Sequence, residues 1–198
     1  MSLDSDQQQV RQEDEHAPSP HTLKNKLMRA LWGVVQSTLF GLSPKPCHRW
    51  RLMLLKLFGA NVTSKSRVYP RVKIWAPWNL TMGDFATLGD DVDCYCVAQI
   101  IIGERSTVSQ YSYLCGATHD HTNPKLPLVP KDIVIGADVW IAADVFVGPG
   151  VTIGDGVVVG ARSSVFGDLP EWCVCVGTPA KPTGPRELKS STQEGATL

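Results

Sequence analysis

The 198-residue sequence carries no surplus of either charge: nineteen Lys and Arg stand against nineteen Asp and Glu. A chain balanced in this way offers no overall field for a polyanion, which argues against nucleic acid as a partner. It has no apolar run of the roughly 18 residues that a membrane-spanning helix needs. Its opening, SLDSDQQQVRQEDEHAPSPH, is polar and acidic and lacks a signal-peptide pattern, so a reducing cytoplasm is the expected location. Cys-x2-Cys spacing is also missing. The six cysteines are Cys47, Cys94, Cys96, Cys115, Cys173 and Cys175, and four of them form Cys-x-Cys pairs. Neighbours two apart on a strand share a face and are poorly placed to bridge, so small apolar fillers are expected rather than a zinc ribbon.

What the chain does have is a rhythm of six. From Ile135 it reads IGADVW, IAADVF, VGPGVT, IGDGVV, VGARSS, VFGDLP. The first place is held by Ile135, Ile141, Val147, Ile153, Val159 and Val165; the fifth by Val139, Val145, Val151, Val157, Ser163 and Leu169. The same phase runs upstream as MGDFAT, LGDDVD and CYCVAQ. After a short insertion it continues as IGERST, VSQYSY and LCGATH. A period of six fits neither a helix nor a long strand. It fits short strands joined by corners, three to each turn of a prism, with first-place aliphatics stacked inward ~4.8 Å apart. The fifth place should also point in and stay small. Gly in second place suits a corner where φ is positive or the backbone is crowded. The fourth place, as at Asp144, should see solvent.

The rhythm breaks in LCGATHDHTNPKLPLVP, Leu114 to Pro130. Leu114 is a first-place residue, Thr118 a fifth-place one, and His119 sits sixth, on an outer corner. The next first place is Ile135, somewhat further on than a full turn of three sixes would put it. A loop extruded directly after a histidine can build a site on a rigid scaffold. His121, just beyond, is left as part of that loop.

The rest of the chain divides around the solenoid. Residues 1–20 are rich in Gln, Asp and Glu and read as disordered; residues 184–198 read as a tail. Residues 21–59 hold two short helices. Leu27, Leu31, Val34, Val35 and Leu39 form an apolar stripe on the first, and Gly59 is a C-cap for the second. Two roles stand for these helices: packing on the solenoid or a neighbouring subunit, or peripheral membrane contact through Lys24, Lys26, Arg29, Arg49, Arg51 and Lys56 beside Trp32 and Trp50. NVTSKSRVYPRVKIWAPWNL reads as an irregular first coil, regular coils as running from Met82 to Pro170, and the solenoid as spanning 60–183.

These repeats resemble the hexapeptide-repeat acyltransferases, whose fold is a left-handed parallel β-helix, over roughly residues 58–183. The handedness comes from the resemblance and not from the period. In the related galactoside and maltose O-acetyltransferases a Thr-His or Gly-His pair at the loop supplies the catalytic base. Here the matching residues are Ala117-Thr118-His119, so the resemblance makes His119 the base. An imidazole suits such proton transfer. The resemblance further implies acetyl-CoA as cosubstrate, with Trp140 lining its groove and the Ala143 N–H facing the developing oxyanion, a contact typically worth about 3 kcal/mol. Ala161, one coil on, matches another amide of the groove. A surface aromatic buried at a subunit contact is a second role for Trp140, compatible with the first.

The match departs from the family in two places. A Thr-Lys pair that contacts the nucleotide end is replaced by Phe166-Gly167, leaving Lys181 and Arg162 as the cations. The acceptor-binding Asn falls within Asp93-Cys94-Tyr95-Cys96, where Asp93 and Tyr95 are candidates for sugar hydroxyls and Asp93 is equally compatible with plain exposure. Two short helices ending in LFGA, then Pro77-Trp78-Asn79-Leu80, then VSQYSYLCGATHD, resemble the colanic acid biosynthesis acetyltransferases. That likeness implies acetylation of a sugar hydroxyl in exopolysaccharide assembly, by a cytoplasmic homotrimer with its sites between subunits, possible contact with the inner membrane face, and no metal. Two other classes stay open on this solenoid. One is a γ-class carbonic anhydrase, which needs three His around zinc where the solenoid offers only His119 and His121. The other is a non-catalytic trimeric scaffold, which would not need the loop. Cys115 as a covalent acyl carrier has no basic neighbour in sequence to activate it.

Overall fold

The computed structural model describes residues 22–188 of the chain. The segment 1–20 expected to be disordered and residues 189–198 of the tail lie outside them. The body is a parallel solenoid of about six turns with three faces, the left-handed β-helix expected. One face stacks the strands Asn61–Val62, Leu80–Met82, Ile100–Ile102, Ile133–Ile135 and Thr152–Ile153. The second stacks Arg67–Val68, Thr87–Leu88, Thr107–Val108, Trp140–Ile141, Val158–Val159 and Cys173–Gly177. The third stacks Lys73–Ile74, Asp93–Tyr95, Tyr113–Cys115, Phe146–Val147 and Ser164–Val165.

The phase is as the repeat predicts. First-place Ile135, Ile141, Val147, Ile153, Val159 and Val165 are all buried, and so are the fifth-place Val139, Val145, Val151 and Val157. Fifth-place serines are small for a second reason. The Ser106 hydroxyl donates to the Gly136 carbonyl at 2.6 Å and accepts from Val139 N–H at 2.9 Å. Ser112 bridges Ala142 and Val145 in the same way. Each hydroxyl thus ties one coil to the next without leaving a buried polar group unmet.

The corners divide two tasks that the repeat placed together at glycine. Positive φ falls in fourth place, at Phe85, Asp91, Arg105, Tyr111, Asp138, Asp144 and Arg162 as well as at Gly150 and Gly156. Second-place glycine answers crowding alone: a Cβ on Gly83 would sit 2.7 Å from the backbone N of Glu104 in the coil above. Asp144 is exposed, as expected of fourth place.

Two expectations change. The segment from Asn61 is not irregular. Val62, Val68 and Ile74 are buried and pair with Met82, Leu88 and Cys94, so a regular coil begins there. Past the last parallel coil, the antiparallel strand Ala180–Pro185 closes on Cys173–Gly177 and Arg186 donates to the carbonyls of Asp138 and Gly156. The helical stripe has the wrong phase. Helix α1 (Leu23–Val35), continued by a π-helical turn at Gln36–Phe40, packs through Trp32 and Phe40 with Met28 and Val35 partly buried. Leu27, Leu31, Val34 and Leu39 face outward. Trp32 decides the phase: its indole N–H donates to the Ile74 carbonyl at 2.7 Å, and its ring packs on Phe40 and Phe58. Helix α2 (His48–Leu57) ends at Gly59 with φ +87°, the expected cap. Cys94, Cys96, Cys173 and Cys175 are buried, and all six cysteines are free thiols.

Candidate active site

The break in the repeat is an arm. Ala117–His119 pairs antiparallel with Leu128–Pro130, and Lys131 N–H returns to the Gly116 carbonyl at its base. The arm leaves the prism at Gly116, ahead of the histidine, so Thr118 is exposed and is not the inward fifth-place residue expected. The excursion is also longer than the gap from Leu114 to Ile135 suggested. Leu114 pairs directly with Val147, so the coil between them carries the whole arm, whereas the next coil, Val147 to Val165, is three plain sixes.

His119 stands near the arm's tip, exposed, with its Nδ1 2.6 Å from the Leu126 carbonyl. A carbonyl can only accept, so Nδ1 carries the hydrogen and the neutral ring keeps its lone pair on Nε2. Among the described residues Nε2 has no partner. The tip is fixed by local bonds: Leu126, at φ +45°, donates to the Asn123 carbonyl, and Asp120 accepts from the Thr122 N–H and hydroxyl. Those bonds hold the Asp120 carboxyl below its usual range, the Thr122 hydroxyl contributing most.

Trp140, Ala143 and Ala161 come together on another side of the prism. Trp140 starts a strand of the second face, is 50% exposed, and donates through its indole N–H to Ser109 Oγ at 3.1 Å. Ala143 and Ala161 occupy the same corner of successive coils, the Ala143 carbonyl accepting from Arg162 N–H. Their own N–H groups have no acceptor among the described residues, so two donors in register look outward beside an aromatic wall. Arg162 is 85% exposed and reaches Asp144 at 3.3 Å. Lys181 is exposed on the terminal hairpin, opposite Val176.

Asp93 and Tyr95 lie on the third-face strand stacked directly on Tyr113–Cys115, from which the arm departs. They line a cavity of about 570 Å³ between α1 and the third face, with Lys26, Arg29, Lys73 and Trp75. Asp93 is half-buried, not freely exposed, and burial raises its carboxyl's pKa while Lys73 opposes that shift. Burial likewise raises the Tyr95 phenol. The sequence pattern does not single out the cations of this cavity as a group, nor the column of rings beside them. Arg29 stacks on Trp75 at 4.6 Å, and Trp75, Tyr95, Tyr113, Phe146 and Phe166 follow one another at 5.0 to 6.3 Å. The column does have a signal. Trp75 and Tyr95 each directly follow a first-place residue, Ile74 and Cys94, one coil apart. Phe166, where the family pattern has a polar pair, caps the column.

Within one chain no hydrogen bond or ring contact joins His119 to the Trp140 corner or to the Asp93 cavity, among the described residues. The arm leaves the prism beside the Asp93–Tyr95 strand, where Gly116 N–H donates to the Tyr95 carbonyl, whereas Trp140 lies on the second face. No cluster of three or more His, Cys, Asp or Glu suited to a metal occurs among the described residues.

Comparison with known proteins gives these parts a context. The family model for the bacterial transferase hexapeptide (six repeats) matches residues 132–167. The chain is 52% identical over 156 residues to the Escherichia coli (strain K12) protein WcaF, provisionally named a colanic acid biosynthesis acetyltransferase. The match covers 79% of this chain and 86% of that one. Among solved structures, the hexapeptide-repeat acetyltransferase VCA0836 of Vibrio cholerae, in complex with acetyl-coenzyme A, superposes with a TM-score of 0.76 at 25% identity, covering 94% of this chain and 100% of that one. A galactoside acetyltransferase in complex with coenzyme A gives 0.71 at 26% identity, covering 85% and 86%.

Proposed function

The chain belongs to the hexapeptide-repeat acetyltransferases, and on that premise we propose that it moves the acetyl group of acetyl-CoA to a sugar hydroxyl, with His119 as general base. The observation that carries this is the His119 ring tied at Nδ1 to Leu126, which leaves Nε2 as the proton acceptor. His119 Nε2 takes the proton of the acceptor hydroxyl as that oxygen attacks the thioester carbonyl. The Ala143 N–H meets the resulting oxyanion. Collapse breaks the C–S bond, and the imidazolium returns its proton to the leaving thiolate. Trp140 and the Ala161 N–H line the pantetheine arm, and Lys181 with Arg162 faces the phosphates.

The protein acts as a cytoplasmic homotrimer. The separation of His119 from the Trp140 corner within one chain supports sites shared between subunits, the arm of one chain closing against the second face of its neighbour. The acceptor occupies the cavity at Asp93 and Tyr95, where carbohydrate hydroxyls find a half-buried carboxylate and a phenol. Lys26, Arg29 and Lys73 favour a sugar carried on a nucleotide or polyprenyl phosphate over free galactosides or maltose, within exopolysaccharide assembly at the inner membrane face.

The test is a screen of nucleotide-linked, lipid-linked and free sugars for acetyl-CoA-dependent release of CoA. Release with phosphate-linked sugars well above that with thiogalactoside supports the reading; equal kcat/KM across all three groups contradicts it. Trimers mixed from His119→Ala and Trp140→Ala chains should recover activity that neither variant has alone. Full loss in the mixture would place both groups in one subunit's site.

A further inference from the structure

The N-terminal helices present a surface that catalysis does not use. Helix α1 carries Leu23, Leu27, Leu31 and Val34 at successive turns, 74, 63, 55 and 62% exposed. On α2, Met53 and Leu57 are exposed, the latter at 76%. The two helices are joined at one end, where the Trp50 indole N–H donates to the Leu39 carbonyl, and at the other a cleft of about 430 Å³ between them is lined by Lys24 and Met28 of α1, then Leu57, Phe58 and Trp78. Isolated exposed leucines are ordinary, but a contiguous row of them is not.

Charge is segregated onto the same element. Residues 22–59 hold seven of the chain's nineteen basic residues and none of its nineteen acidic ones. Arg51 is buried as a clamp on the Val68, Pro44 and Lys45 carbonyls, and Lys45 pairs with Asp90. Lys24, Arg49 and Lys56 face solvent, and no carboxylate of the described residues pairs with them. Arg49, Met53 and Lys56 follow one another along one side of α2 around a notch of about 180 Å³. No described helix is long and apolar enough to cross a membrane.

We propose that α1 and α2 form an interfacial docking surface for anionic lipid, the apolar row entering the acyl boundary while Lys24, Arg49 and Lys56 meet phosphate headgroups. This deepens, and rests on, the placement at the inner membrane face above. An apolar face rimmed by cations, with no acid, matches a negatively charged leaflet. A twofold contact with a second copy is a poorer occupant, because it would set one basic helix pair against another; a contact with a different face of a neighbour in the trimer is read by the oligomer mass in the test below. The cavity at Lys26 and Arg29 opens on the other flank of α1, so a docked helix would hold it close to a lipid-linked acceptor.

Residues 1–21 hold five acidic residues and one basic, so the full chain is the form to use. Its sedimentation with vesicles of phosphatidylglycerol and phosphatidylcholine is compared with pure phosphatidylcholine. Binding to the anionic vesicles alone, reduced by salt, is expected. The double variant Leu27→Ser, Leu31→Ser and the triple variant Lys24→Glu, Arg49→Glu, Lys56→Glu should each weaken it by at least about tenfold, with thermal melting and acetyl-CoA binding unchanged because all five side chains are exposed. No binding, equal binding to neutral vesicles, or wild-type binding by both variants overturns the proposal. So does a change of oligomer mass in the leucine variant without a change in vesicle binding, which assigns the face to a second copy. The vesicle assay needs no turnover, so its failure and a failure of acetyl transfer are read separately.

Discussion

The prism and the arm it carries are held by different means. In the prism each first-place side chain is fixed twice, by a parallel ladder above and below and by burial on a dry axis, as at Val147 between Leu114 and Val165. In the arm only Ala117 is buried, and His119 owes its place to one short pairing and a bond to Leu126. A fault in the prism therefore costs the fold, whereas a fault in the arm costs geometry at one ring. Rigid scaffold and adjustable tip are separable, and variants in the two regions should report on different quantities.

The largest effect is expected inside the prism. Val147→Asp or Ile153→Asp buries an unpaired charge, at a cost of several kcal/mol, and should unfold the chain. Asp144→Asn, on a solvent-facing corner of the same coils, should melt with the wild type. Thermal melts of the three check it, and equal melting temperatures would break the contrast. Ser106→Ala should fall between: the Gly136 carbonyl and Val139 N–H lose their shared partner, and leaving such groups unmet costs about 1–3 kcal/mol, readable by denaturant unfolding.

The smallest effect on stability is expected in the arm. Asp120→Ala removes the acceptor that orders Thr122 and should leave the melt unchanged while lowering the transfer rate severalfold through a less well held His119. The pH dependence has a definite sign. The Asp120 carboxyl is depressed in the folded chain, so its contribution is present above the ordinary carboxylate range and is lost as pH falls through the folded value. The tip should keep its order at neutral pH and loosen only in acid, which amide exchange at Thr122 and Asn123 would follow.

The prism is legible in the sequence because its constraint is periodic. One side chain in six must face the axis, so Ile135 through Val165 announce both their spacing and their burial. The same regularity hides the coil at Val62, Val68 and Ile74. There the second places are Thr63, Tyr69 and Trp75 in place of the Gly or Ala common in later coils, so the spacing of six stands without the small corner residue that marks it elsewhere. The helices mislead for a different reason. An apolar stripe marks what would pack if it were covered, yet Trp32 has a carbonyl to reach and rings to meet, and it outweighs four aliphatics. The arm's histidine is legible as an interruption, but its tautomer is not, since that depends on Leu126 turning its carbonyl inward at positive φ from the far side of the tip. The Asp93 cavity sets α1 against three successive coils of the third face; the coils follow from the repeat, but the helix that covers them carries no pattern that places it there.

The most direct test of the central claim is the rate of acetyl transfer by His119→Ala, at saturating acetyl-CoA and with the acceptor found by the screen. Acetyl-CoA affinity and melting temperature are measured on the same sample. A base acting in the chemical step predicts a loss of about 10²- to 10⁴-fold in kcat, with affinity and melting close to wild type because the ring stands on the arm and outside the core. A rate within about threefold of wild type, well short of what a general base supplies, would contradict the assignment of His119.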